Sequence, residues 1–130
     1  MNTADVDAVT SGWAIILQTQ KRDGSWVATP VTPTRSGDVV YVMTDGASGK
    51  AKRIRNFPTV RVSAGTNSGK ATGPVRLATA TRLLGDDARR ATSVVRRKHP
   101  IVFGAIIRLR FAFSSADQAV FELSDFRAES

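Results

Sequence analysis

The chain has 130 residues, 42% of them hydrophobic and 23% charged, an ordinary globular composition with enough length for one domain around a real core. It contains no Cys and a single His, His99, which excludes disulfides, thiolate metal sites, Cys nucleophiles and any mechanism that needs two histidines of one chain. The formal net charge of +8 asks for an anionic partner (nucleic acid, a lipid headgroup, or a phosphorylated or carboxylated small molecule) without choosing among them.

Residues 1–130 read as one domain. Met1 to Val9 is expected to be a flexible N-terminus, and Arg127 to Ser130 a second loose end. Ala4 to Ala8 is acidic and short, with no basic segment leading into an apolar run, so no signal peptide is read and a cytoplasmic protein is expected. Trp13 to Thr19 and Trp26 to Val31 predict a β-hairpin turned by Asp23-Gly24. A Ser36-Gly37-Asp38 turn opens a third strand, "VVYVMTD". A short basic helix follows, then a fourth strand, "PTVRVSAG", in which Val60 and Val62 share one face and Arg61 and Ser63 the other. Gly65 to Gly73 is a polar loop, and "PVRLATATRLL" a fifth strand with Pro74 at its start.

Asp86 to Lys98 predicts a helix with acids at its start, Arg96, Arg97 and Lys98 at its end, and Ala88, Ala91 and Val95 as its apolar stripe. Ile101 to Arg110 is compatible with a buried helix or a strand, with helix preferred up to about Ile107. That apolar-rich stretch is too short to span a bilayer. Gln118 to Phe126 alternates as a last strand, with Val120, Glu122 and Ser124 against Phe121, Leu123 and Asp125. The expected architecture is mainly β: a small, mostly antiparallel β-barrel or sandwich with helices packed outside it.

The basic helix poses the functional question. "SGKAKRIRN", Ser48 to Asn56, carries Lys50, Lys52, Arg53 and Arg55 and no acid. A cation in a first turn meets the partial positive charge of the helix N-terminus. At about 100° per residue, Ala47, Ala51 and Ile54 form a buried stripe, with Lys50 and Arg53 on one flank and Lys52 and Arg55 on the other. Two readings stand: an anion site made by the free N–H groups, the Ser48 hydroxyl and Lys50, or a solvated helix that tolerates its charges. For Arg96-Arg97-Lys98 the complement to the helix dipole is sufficient. "SGKA" recurs at Ser68 to Ala71, and neither copy has the spacing of a Walker A loop. No Ser lies in a nucleophile elbow, no carboxylate pair shows clear helical spacing, and His99 reads as a surface residue at a helix end, weak as a metal or haem ligand.

The order of these parts ("VATPV", "VVYVMTD", "SGKAKRIRNFPTVRV", "TGPVRLATATRLL" and a helix ending "RRKHP") resembles the flavin/deazaflavin oxidoreductase family, the split β-barrel, FMN-binding-like group related to pyridoxamine 5'-phosphate oxidases, and within it the branch that uses coenzyme F420. The likeness runs over about Trp13 to Pro100 and accommodates the last strand. Its most specific part is the Ser-Gly-Lys-x-Lys-Arg-x-Arg-Asn-x-Pro run. The resemblance implies a cofactor phosphate at Ser48, Gly49 and Lys50, with Lys52 and Arg53 behind them. It implies a ring lying against Ala28, Thr29, Pro30 and Val31, with Met43 and Thr44 beside it. It also implies a homodimer with cofactor clefts at the interface, to which both chains contribute. Many relatives carry an aromatic pair where this chain has Thr32-Pro33, which leaves the substrate class open.

Two functions are therefore expected to compete. The first is an F420-binding oxidoreductase, with FMN as the alternative cofactor, passing hydride between the ring and a small-molecule substrate that the sequence does not name. No acid or base need come from the protein in such chemistry. F420 is preferred because its phosphodiester and glutamate tail offer more anionic groups to the basic helix. The second is a nucleic-acid-binding β-barrel using Trp13, Trp26, Tyr41 and scattered Arg. It is disfavoured, since aromatics make up only 7% of the chain and no strand interleaves them with Arg on one face.

Overall fold

The computed structural model describes residues 3–46, 48–98 and 118–129. The chain order is helix α1 (Thr3–Val9), strands β1 (Ala14–Gln20), β2 (Trp26–Val31), β3 (Thr34–Ser36) and β4 (Val39–Asp45), helix α2 (Gly49–Asn56), strands β5 (Thr59–Gly65) and β6 (Arg76–Leu83), helix α3 (Gly85–Lys98) and strand β7 (Gln118–Ala128). The expected helix over Ile101 to Ile107 lies outside the described residues.

The seven strands form one sheet in the order β2-β1-β5-β6-β7-β4-β3, and every pairing is antiparallel. Its two edges, β2 and β3, are consecutive in the chain and joined only by Thr32-Pro33. Three Cα–Cα steps reach at most about 11 Å, so the sheet must curl until its edges approach one another. The short Thr32-Pro33 link is thus the seam of a barrel.

Local chemistry explains the turns. In the β1–β2 hairpin Gly24 adopts φ +91°, and the Asp23 carboxylate accepts from the Ser25 N–H and hydroxyl, which holds its pKa below the usual carboxylate range. Gly37, at φ +62°, sits in the two-residue turn between β3 and β4. The sequence reading missed β3 because Thr-Arg-Ser is too short and polar to show alternation; its strand character comes from pairing with Val39 to Tyr41. In β7 the alternation of Phe121 and Leu123 breaks at Asp125, which has φ +56°, where the register with β6 shifts between Leu77 and Thr79. This bulge turns Phe126 inward in place of Asp125.

The barrel interior holds Ile15, Leu17, Val40, Val42, Val60, Val62, Phe121 and Leu123, all essentially buried. Two helices contribute to the same cluster. Val6 and Val9 of α1 are fully buried, so the expected flexible N-terminus is corrected: two valines three apart on one helical face anchor residues 3–9, and Asp5 pairs with Arg76 at 2.6 Å. The expected loose end at Arg127 is likewise corrected, since Arg127 stands opposite Leu77 in the β6–β7 ladder. Ala51 and Ile54 of α2 enter the cluster from the other side. Arg76, near α1, lies at the start of β6, whereas Arg53 of α2 bonds Thr19 near the end of β1. With the antiparallel register, the two helices close opposite ends of the barrel. α3 lies outside, with Ala91 and Val95 buried.

Candidate anion and cofactor site

The chain passes from β4 through a turn directly into α2, so the α2 N-terminus is held at the rim of the barrel. Ser48 is its N-cap, extended at φ −70°, ψ 160°, and its hydroxyl accepts from the Ala51 N–H at 3.1 Å. The Lys52 N–H donates to the Ser48 carbonyl. The Gly49 and Lys50 N–H groups have no intrahelical acceptor, as the first groups of any helix do not. Gly49 has a spatial role: a Cβ there would come within 2.8 Å of Arg53 Nη1, so its absence lets the Arg53 guanidinium lie over the first turn. Arg53 Nε donates to the hydroxyl of Thr19 at 2.7 Å. Thr19 is a buried polar residue on the core-facing side of β1, in phase with Ile15 and Leu17. Lys50 is half-buried, and burial, followed by the neighbouring Arg53 charge, pushes its ammonium pKa down.

Helix α2 gathers four cations, Lys50, Lys52, Arg53 and Arg55, with no acid among them. Among the described residues Lys50, Lys52, Arg53 and Arg55 make no ion pair, whereas Arg35, Arg61, Arg76, Arg89, Arg90 and Arg127 each face a carboxylate. A cationic first turn with open N–H groups and no acid is chemically fitted to receive an anion.

Among the described residues, cavities lie on both sides of α2. The larger, about 590 Å³, lies between the helix and β6, with Ser48, Lys52 and Arg55 on the helix side, Thr79, Thr81 and Arg82 on the strand side, and Ala51, Ile54, Ala80 and Phe121 among its apolar lining. The smaller, about 260 Å³, lies on the outer side, bounded by Gly49, Lys52, Arg53 and Asn56 and by Gln20, Lys21 and Arg22 of the β1–β2 hairpin. A third, about 280 Å³, lies under α3 and includes Met43, Leu83, Leu84, Ala88, Thr92 and Val120.

Ser48, Gly49, Lys50, Lys52 and Arg53 all lie on α2 or its cap; Ser48 lines the larger cavity, Gly49 and Arg53 the smaller, Lys52 both, and Lys50 neither. The structure places the other sequence-derived residues elsewhere. Met43 is in the cavity under α3, and Thr44 stands opposite Ala119 in the β4–β7 ladder. Ala28, Thr29, Pro30 and Val31 lie on edge strand β2 and line none of these cavities. Thr29 Oγ1 is buried with no hydrogen-bond partner among the described residues, and Val31 packs against the core. Sequence reasoning missed Thr19, Thr79, Thr81, Arg82 and Phe121. Thr19 had a legible signal, a hydroxyl at a core position of an alternating strand; the others meet α2 only through the curl of the sheet.

No protein-family model matches the sequence, and no curated protein matches it either. Solved structures do. An F420-H2 dependent reductase superposes with a TM-score of 0.62 at 14% identity, covering 86% of this chain and 94% of that one. A pyridoxamine 5'-phosphate oxidase-related, FMN-binding protein from Nostoc punctiforme gives a TM-score of 0.58 at 13% identity, covering 94% and 76%. HutZ, the heme storage protein of Vibrio cholerae, gives 0.64 at 10% identity, covering 99% and 90%. The fold is the split β-barrel of pyridoxamine 5'-phosphate oxidase-like proteins. At these identities the likeness is one of fold, and split barrels include an F420-H2 dependent reductase and a heme storage protein alike, so the reading of function has to come from the site. Among the described residues no group of His, Cys, Asp and Glu could hold a metal ion, and no helix is long and apolar enough to cross a membrane.

Proposed function

We propose that this split barrel binds a flavin-type cofactor, F420 in preference to FMN, and serves hydride transfer between the cofactor and a small-molecule substrate. One observation carries the reading: the first turn of α2 presents a capping hydroxyl, two open N–H groups and cations without carboxylate partners, and its Ser48 and Lys52 line a cleft of about 590 Å³. That volume falls within the usual range for small-molecule sites, roughly 300–1,000 Å³.

The residues present fit such a group. The Gly49 and Lys50 N–H groups and the Lys50 ammonium would hold the phosphate, with Lys52 and Arg53 adding positive charge on either side of the helix. Lys50 is half-buried, so its charge is less screened by water than that of an exposed lysine. Thr29 Oγ1 offers an unused hydrogen-bonding group on β2. A bound deazaflavin or flavin supplies the hydride chemistry itself; the chain orients it and shields it from water with Ala51, Ile54, Ala80 and Phe121. In one chain the residues of β2, β4 and α2 fall in separate places, and a homodimer in which both copies contribute to each cleft reconciles them with one site.

The test is a fluorescence titration with F420 and, in parallel, FMN, at low and moderate salt. Saturable F420 binding that changes little with salt supports the reading. FMN binding alone keeps the fold and changes the cofactor. Binding of neither, together with steeply salt-dependent binding of single-stranded nucleic acid, removes the proposal in favour of a nucleic-acid-binding barrel.

A further inference from the structure

The α2 cleft has a second cationic wall that phosphate binding at Ser48 leaves unused. Arg82 lies on β6 directly opposite Phe121 of β7, which in turn stands opposite Val42 of β4. Residues directly opposite in a ladder point to the same face, so Arg82 belongs to the inward face that carries Ala80, Phe121 and Val42. At the end of β6 Arg82 lines the cleft beside α2 and also the smaller cavity under α3. Arg55 lines the same cleft from the helix. Neither arginine makes an ion pair among the described residues; Arg22, Arg53, Arg96 and Arg97 do not either, and none of those four lines this cleft. Both are exposed, so water screens their mutual repulsion in the free protein. A molecule that displaces this water above Ile54 and Phe121 would meet two planar guanidinium forks, each shaped for a bidentate contact to an oxyanion.

We infer that Arg82 and Arg55 form a second anion-binding pair of the cleft, taking a phosphate or carboxylate group of the bound molecule that the Ser48 turn does not hold. The inference rests on the reading of this cleft as the ligand site and adds a requirement to it: the natural ligand carries a second anionic group. Its position follows from strand pairing and could not come from the basic run of α2, because Arg82 is twenty-seven residues beyond Arg55.

The experiment uses pyrophosphate as probe, with calorimetric titration of the full chain and of Arg82→Gln, Arg55→Gln and Arg97→Gln, each checked by thermal melting. Wild type and Arg97→Gln are expected to bind alike, and Arg82→Gln and Arg55→Gln about tenfold more weakly, the loss of one charge-assisted contact. Equal binding by Arg82→Gln and wild type, or no pyrophosphate binding by wild type, overturns the pair. The probe is not a cofactor. If wild type binds neither F420 nor FMN while Arg82→Gln still weakens pyrophosphate binding, the cofactor reading fails and the pair stands. Where both cofactors bind, an Arg82→Gln loss with F420 alone assigns the pair to a carboxylate, and an equal loss with FMN, whose only anionic group is its phosphate, overturns the pair as a second subsite.

Discussion

Two basic helices of this protein solve the same electrostatic problem in opposite ways. α3 opens with Asp86 and Asp87, ends with Arg96, Arg97 and Lys98, and pairs Arg89 with Asp86 and Arg90 with Asp87 one turn apart. Lys98 also donates to the Arg35 carbonyl of β3, tying the helix end to the barrel. Every part of that pattern lowers the energy of the isolated helix and its packing. α2 has no acid in its first turn, carries cations along both flanks and leaves them unpaired among the described residues. It is held by Ala51 and Ile54 in the core and by the Arg53–Thr19 hydrogen bond. The contrast teaches that charge content alone is uninformative. What separates the two helices is where the cations sit: α3 sets them against its own carboxylates and at its C-terminal end, and α2 in and after an acid-free first turn.

The largest effect that would break this comparison is on the anchor. Ile54→Ala removes a side chain only 3% exposed and should cost about 2–5 kcal/mol in a denaturant-unfolding measurement. If it cost only a few tenths, α2 would not be packed as described. Next, Lys50→Ala should weaken F420 binding by about 1–3 kcal/mol, with Arg97→Ala on α3 nearly unchanged. Equal binding by the two variants would remove the distinction between the helices. Ser48→Ala, which loses the N-cap, should lower stability by about 1 kcal/mol, read from the shift of the unfolding midpoint. Smallest of all, Arg89→Ala on α3, whose side chain is 77% exposed, should change stability by only about 0.2–0.5 kcal/mol.

A pH series sharpens the same contrast. The folded-state pKa of Lys50 is depressed, so its charged form costs more folded than unfolded, and stability rises as pH climbs through that lowered value toward the ordinary lysine range. A bound anion favours the charged form. Ligand affinity should therefore fall as pH rises through the same window, measured as the dissociation constant from neutral to alkaline pH. Lys50→Arg, always charged, should abolish that fall. A decline that persists in Lys50→Arg would place the titrating group elsewhere.

Much of the fold was legible. The β1–β2 hairpin, β4, β5, β6, α3 and most of β7 follow from alternation, turn chemistry and caps, because in each the local pattern and the final environment agree. The misses share a cause. β3 is a strand only because β4 pairs with it. α1 is ordered only because the barrel end accepts Val6 and Val9. The Asp125 bulge arises where β7 must bring Phe126 inward. At the candidate site, the capped, acid-free first turn of α2 could be read from Ser48, Gly49 and Lys50, because an N-cap and its open N–H groups are local features.

The sequence by itself determined a mainly antiparallel β architecture, an uncompensated basic helix and the absence of thiol chemistry, since these depend on neighbours within a few residues. Only the tertiary structure decided that Thr32-Pro33 is the barrel seam, that Thr19 receives Arg53, that Met43 lies under α3, and that Arg82 faces the cleft beside α2. Each of these depends on strand register and on the curl that brings the sheet's edges together, and the burial of the whole core sets both at once.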